Sequence, residues 1–260
     1  MAPSHLDTQI SDEDARLLSK IAAGGVIADW QETGGRFKEL ATSIILQFAD
    51  SQMAGAAGFA DFINQGTSIN DRLQISKMVA EKMSMAKLAY DLLAGLNFNS
   101  DRYIANHSFQ ARVLRDTFFG FSRSSADKRL NALLYPLESF DDMLIFTYLL
   151  AVMAKLLVGE FADSRFAPLK NLAEHCLPIE SSHADLALEM LKKRIPQQRE
   201  KLQVSLTYWY PRVETSAGPP DSLRNQWHRK FGLKQSQNVE IKETWRKEVT
   251  TQLSALEIFA

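Results

Sequence analysis

The segment Glu180-Ser181-Ser182-His183 has the spacing of a metal-binding pair on a helix. Residues three apart lie on one helix face, so the Glu180 carboxylate and the His183 imidazole could bind one metal ion together. In di-metal helical bundles two helices each supply such a Glu-x-x-His pair, and two others each supply a carboxylate. The motif also arises by chance, and is then a surface or capped pair without chemistry.

A second pair would begin at Glu81, but the residue three positions later is Ser84. A serine hydroxyl is a poor metal ligand. At the positions where the two remaining helices would supply carboxylates, we expect Gln52, which belongs to a polar cluster, and Ala151, which belongs to an apolar run. Glu81, Glu180 and His183 are fewer ligands than two metal ions require, although three ligands and a water molecule could hold one ion.

The elements that must position these residues are predicted to be helices, because periodicity is helical almost everywhere and no stretch alternates as a strand would. We expect an all-α protein. Its four long helices, two consecutive pairs joined by a longer connection, are typical of a four-helix bundle. Their predicted ranges are about Arg36 to Phe62, Asn70 or Asp71 to Gly95, Phe140 (capped by Ser139) to about Glu160, and about Arg165 to Lys193 with a kink or interruption at Pro178.

Further helices are predicted at both ends of the bundle. Ser11 is a suitable N-cap for a first helix that stops at Gly24-Gly25, and Pro196 begins another helical element. A loop over Thr215 to Pro220 separates the main body from a C-terminal piece. We therefore expect one helical domain over residues 1–260, with a core bundle over about 36–212 and a C-terminal extension over about 221–260.

Composition excludes several classes of protein. Thirty Lys and Arg against 31 Asp and Glu argue against a nucleic-acid surface. The single cysteine, Cys176, excludes an internal disulfide and fits a cytoplasmic protein. The longest apolar run, Met143 to Ala154, is too short to span a bilayer, so no membrane association is expected. Gly-rich phosphate loops, Gly-x-Ser-x-Gly and His-Glu-x-x-His are absent.

Three stretches carry a likeness to a known family: Arg72 to Leu96, Tyr135 to His183, and a fainter one from Trp209 to Trp245. They resemble the ferritin-like A and C subunits of phenylacetyl-CoA epoxidase, the multicomponent oxygenase of bacterial phenylacetate catabolism, and are nearer to the catalytic A type. The likeness covers about positions 36 to 250. It implies a ferritin-like bundle and a di-iron centre.

The resemblance also implies a ligand set, of which three of six members survive. The family's first-helix glutamate falls at or beside Gln52, its first Glu-x-x-His on Glu81 and Ser84, and its next carboxylate on Ala151. Its second Glu-x-x-His falls on Glu180 and His183. Two bridged irons need several negative ligands, which glutamine and alanine do not supply. The surviving residues could instead hydrogen-bond one another inside the bundle.

These observations leave three hypotheses. We favour a non-catalytic or weakly metal-binding subunit of an oxygenase assembly, with no iron or an incomplete iron site, as a homodimer or as a hetero-oligomer with a related ferritin-like subunit. The second is a metal-dependent monooxygenase acting on an aromatic acyl-CoA or a related substrate, with Glu81, Glu180 and His183 as ligands. The third is a metal-free bundle that binds a small apolar ligand in space left by Ser84 and Ala151.

Overall fold

A computed structural model describes residues 10–118 and 127–258. Of the described residues 75% are helical, and they form eight α-helices and no strand, which confirms the all-α prediction. The helices are α1 Asp12–Ala22, α2 Gly35–Ala60, α3 Ile69–Leu93, α4 Ser100–Ala105, α5 Phe140–Ala162, α6 Ala167–Glu214, α7 Leu223–Lys230 and α8 Asn238–Ala255.

Serine side chains cap the first turns of four of these helices, α1, α3, α5 and α7. Ser11 accepts a hydrogen bond from the Asp14 backbone N–H at 3.1 Å, and Ser139 accepts one from Asp142 at 3.0 Å, as predicted for these caps. Helix α3 begins earlier than predicted, because Ser68 forms a capping box with Asp71.

Helix α6 runs through Pro178 without a kink, contrary to the prediction there, but two helical segments meet at a kink two residues after Pro196, where a new element was predicted to begin. The residue within it that has a non-helical backbone is Gln198, with φ −138° and ψ 24°. A proline removes one helical hydrogen bond and crowds the preceding turn, and here the distortion falls beside Pro196 instead of at Pro178. Around Pro178 the neighbouring Cys176 and Glu180 are fully buried, so tertiary packing holds the helix in place there.

Two helix pairs make up the bundle. Helix α5 packs along α6 and α2 packs along α3, while α3 meets α6 to join the pairs. Helices α2 and α5 lie farther apart and meet through side chains, with Phe48 against Phe161 and Phe59 against Phe146, and a groove lined by both helices lies between them. The faces of α2, α3 and α6 that point inward therefore meet in the bundle interior.

Helix α5 is long and apolar enough to cross a membrane by length and composition alone. In the fold, however, 72% of its most apolar window is buried. Its partner α6 and the C-terminal helix α8 cover it, and Trp245 of α8 donates its indole N–H to the Leu149 carbonyl at 3.0 Å. Burial as a core helix therefore accounts for its composition.

The segment after Pro220 packs on its own bundle. Trp227 and Phe231 of this segment stack with ring centroids 5.8 Å apart, and Phe231 meets Phe37 of α2 edge to face at 5.6 Å. Its core therefore merges with that of the bundle.

Candidate functional site

Three helices bring five polar side chains together in the bundle interior. Helix α2 contributes Gln52, α3 contributes Glu81 and Lys82, and α6 contributes Glu180 and His183. Four of them are at most 4% exposed, whereas Glu81 is only part-buried. This is the place where the Glu180–His183 spacing predicts a metal site.

The fully buried Glu180 is bound by an amide and an ammonium group. Gln52 donates from Nε2 to Glu180 Oε1 at 2.6 Å, and Lys82 Nζ lies 3.5 Å from the same oxygen. Lys82 also donates to Gln52 Oε1 at 3.1 Å. The three side chains form a closed triangle in which the lysine neutralises the carboxylate.

The His183 ring lies between the two carboxylates. Its Nε2 is 2.9 Å from Glu81 Oε2, so this pair hydrogen-bonds as the sequence suggested. Its Nδ1 faces Glu180 Oε2 at 3.7 Å, which is too long for a hydrogen bond, and neither of these two atoms has a hydrogen-bond partner among the described residues. Because Nδ1 and Nε2 lie on different sides of the ring, the imidazole separates Glu81 from Glu180.

The electrostatic surroundings keep Glu180 ionised. Burial alone would raise the pKa of this carboxyl, but the Lys82 ammonium, the His183 contact and the Gln52 amide outweigh it and lower the pKa to about 2. A buried carboxylate that is paired with an ammonium group is tolerated in a protein interior. Removing one member of the pair destabilises the fold far more than the intact pair stabilises it.

Two of the positions assigned to lost ligands behave differently. Ala151 is buried in α5, but Ser84 is exposed on α3 and its hydroxyl donates to the Ala80 carbonyl at 3.0 Å. The inward-facing residues of α3 at Glu-x-x-His spacing are instead Lys82 and Met85, one position along from Glu81 and Ser84. On α3 the position mapped to Glu81 therefore reaches the interior through its contact with His183, whereas the position mapped to Ser84 faces outward.

Sequence reasoning missed Lys82, although a signal was present. The buried residues of α3 recur at helical spacing, and Lys82 lies seven residues after Ile75 and seven before Ala89, within this stripe. A lysine at a core position is rare unless it is paired, so its place in the stripe indicates a buried counter-charge.

The side chains present do not fit a di-iron centre. Within residues 10–118 and 127–258, no three His, Cys, Asp or Glu side chains converge to hold a metal ion. The imidazole divides the two carboxylates, and a fixed ammonium already lies against Glu180. Two oxidised cations would need more anionic oxygens than this cluster offers.

Comparison with known proteins places the chain in a family. A family model described as phenylacetic acid catabolic protein matches residues 26–259, which is most of the chain. A search of curated proteins found no match. The family is known for di-iron sites and works in multi-subunit complexes. The chain, a ferritin-like helical bundle, thus belongs to the phenylacetic acid catabolic protein family.

Proposed function

We propose that this protein is a non-catalytic, structural subunit of an aromatic acyl-CoA oxygenase assembly in aromatic catabolism. The observation that carries the proposal is the buried ammonium of Lys82, which lies 3.5 Å from Glu180 and 3.1 Å from Gln52. This side chain provides, next to the interior carboxylate, the positive charge that a metal ion would otherwise provide.

The charge of Lys82 opposes metal binding directly. A divalent cation about 4 Å from an ammonium group is repelled by about 8 kcal/mol at an effective dielectric constant of about 20. Iron would also have to take Glu180 from its two present partners. The cluster therefore favours a stable bundle core over a redox centre.

A surface suited to a partner supports the structural role. On α3 the large apolar residues Ile69, Leu73, Met83 and Leu88 are exposed, and Ile69 is 73% exposed. Exposed apolar side chains concentrated on one helix are typical of an interaction site. We propose that a related ferritin-like subunit, or a second copy of this chain, covers α3.

Iron content tests the proposal. We expect protein purified from iron-supplemented culture to contain no stoichiometric iron by elemental analysis. The variant Gln52→Glu/Lys82→Glu/Met85→His removes the ammonium and gives α3 an inward Glu-x-x-His, so it should bind iron where the wild type does not. Circular dichroism checks that both proteins are folded.

The opposite result would support the enzyme. One iron per wild-type chain, lost in His183→Ala, would indicate a metal-dependent monooxygenase that uses Glu81, Glu180 and His183, whereas two irons would show that further ligands take part. Turnover of an aromatic acyl-CoA with a reductase would then be the decisive assay.

A further inference from the structure

A groove between α2 and α5 borders the Glu180 cluster, whose Gln52 and Lys82 line one part of it. It is partly open to solvent, and the space in it that water-sized molecules could occupy is about 50 Å³. Its walls are mostly apolar, with Ile44 and Phe48 on α2 and with Leu150, Leu157 and Phe161 on α5. Small-molecule sites are lined in this way, with few polar groups, but they enclose more space, so part of a ligand bound here would lie in the open mouth of the groove. Ser84 and Ala151, which we expected to leave space for a small apolar ligand, are not among the residues that line this groove.

Most polar side chains that line the groove already have partners. Lys82 is paired with Glu180 and Gln52, as described above. The Ser51 hydroxyl donates to the Gln47 carbonyl at 2.6 Å and accepts from the Leu130 N–H at 2.9 Å. These groups make poor anchors for a ligand.

Lys234, in the connection between α7 and α8, is different. Its side chain lines the groove and the residue is 8% exposed. Its ammonium group has no hydrogen-bond or ion-pair partner within the described part of the chain. The nearby Glu160 instead accepts from the backbone N–H groups of Gln235 and Ser236, at 2.8 and 2.7 Å, and from the Ser236 hydroxyl.

An unpaired buried ammonium is costly, because burial removes its water without replacing it. Burial accordingly lowers the pKa of Lys234, and the charge of Glu160 opposes that effect only in part. An anion that enters the groove would supply the missing partner.

We propose that this groove binds a small apolar monoanion, whose carboxylate pairs with Lys234 and whose hydrocarbon body lies between α2 and α5. One unpaired cation at an apolar wall matches a single negative charge on an apolar body, as in a medium-chain fatty acid or an aryl carboxylate. A nucleotide-linked thioester carries several phosphate charges, which one buried ammonium does not match. The site does not rest on the proposed function, because Lys234 takes no part in the Glu180 cluster, although Gln52 and Lys82 of that cluster line the groove.

Calorimetric titration of the full chain with octanoate tests this site, with 1-octanol as the uncharged probe and acetate as the probe without an apolar body. Octanoate should bind more tightly than either. Lys234→Met keeps the aliphatic stem and removes the charge, so octanoate affinity should fall on the order of ten- to a hundred-fold, the loss of one charge-assisted hydrogen bond. Lys170→Met, at an exposed lysine on α6, is the matched control and should bind as wild type does.

Equal binding of octanoate and octanol, or unchanged octanoate affinity in Lys234→Met, would overturn the proposal. If Lys234→Met does not fold, two other variants test whether octanoate binds in this groove. Ala154→Phe fills the groove from α5 without altering Lys234 and should abolish octanoate binding, whereas Lys234→Arg keeps the cation and should retain it. Binding that survives Ala154→Phe would place octanoate elsewhere and refute the site.

Discussion

Replacing Lys82 by methionine tests the role of the buried ammonium most directly. Methionine keeps the length of the side chain and removes the charge, so Glu180 would remain fully buried with only the Gln52 amide on Oε1. Removal of one partner from a buried ion pair costs about 3–5 kcal/mol. For a chain of this size that corresponds to a fall in Tm of roughly 6–20 °C.

The pH dependence of the loss identifies its cause. In the wild type the pKa of Glu180 is lowered, so its contribution is present above about pH 4.3 and is lost as the pH falls towards 2. Without Lys82, burial dominates and raises the pKa of Glu180, so the folded variant takes up a proton more readily than the unfolded chain does. The destabilisation should therefore shrink as the pH is lowered from 7 to 5. Urea unfolding at each pH measures it.

Two further variants test whether the loss of stability in Lys82→Met comes from the buried ion pair. Lys77→Met removes an exposed lysine 3.6 Å from Glu81 on the same helix, and should change stability by at most about 1 kcal/mol. Glu180→Gln placed on the Lys82→Met background should recover much of the loss, because no buried charge remains. A loss in Lys82→Met no larger than in Lys77→Met, or no recovery in the double variant, would refute the buried ion pair.

Three other predictions concern the surface, the acid response and the C-terminal segment. Leu73→Glu on α3 should weaken association, seen as a lower mass by light scattering, whereas Val204→Glu, also at an exposed apolar position, should not; equal effects would contradict the α3 surface. Burial, with nearby positive charges, lowers the pKa of His228 to about 2. As the pH falls below about 6.5, this histidine therefore takes up a proton in the unfolded chain but not in the folded one, and the free energy of unfolding of the wild type falls by up to about 1.4 kcal/mol per pH unit. His228→Leu should remove this part of the pH dependence in urea unfolding, and an unchanged slope would contradict it. Trp245→Phe removes the hydrogen bond to the Leu149 carbonyl and should cost about 1–3 kcal/mol in the same assay, so a variant as stable as wild type would show that this contact contributes little.

The helices could be predicted from sequence because their signals are local. Ser11 and Ser139 are followed by acidic first turns, and apolar residues repeat at helical spacing through α3 and α5. The course of α6 could be predicted only in part: its kink at Gln198 lies beside Pro196, but at Pro178, which would also disturb an isolated helix, tertiary packing holds the helix. Local rules therefore predict where helices begin better than where they continue.

Only part of the candidate site could be predicted. Glu180 and His183 lie three apart on one face, and they point inward as expected. Their partners lie 98 to 128 positions away in the sequence. Which residues of α3 face them depends on how that helix is rotated about its axis, and a rotation by about one position would exchange them. The observed rotation brings Lys82 inward and turns Ser84 outward, and only tertiary packing determines it.

The buried lysine explains how a carboxylate can lie beside an imidazole in the bundle interior without a fitting metal site. Glu180 alone in an apolar interior would protonate or destabilise the fold. With Lys82 against it, the carboxylate stays ionised, hydrogen-bonds Gln52 and ties α2, α3 and α6 together. An interior carboxylate of the kind that binds metal in a di-iron bundle can therefore stabilise the fold instead, provided that the positive charge beside it comes from a side chain of the same protein.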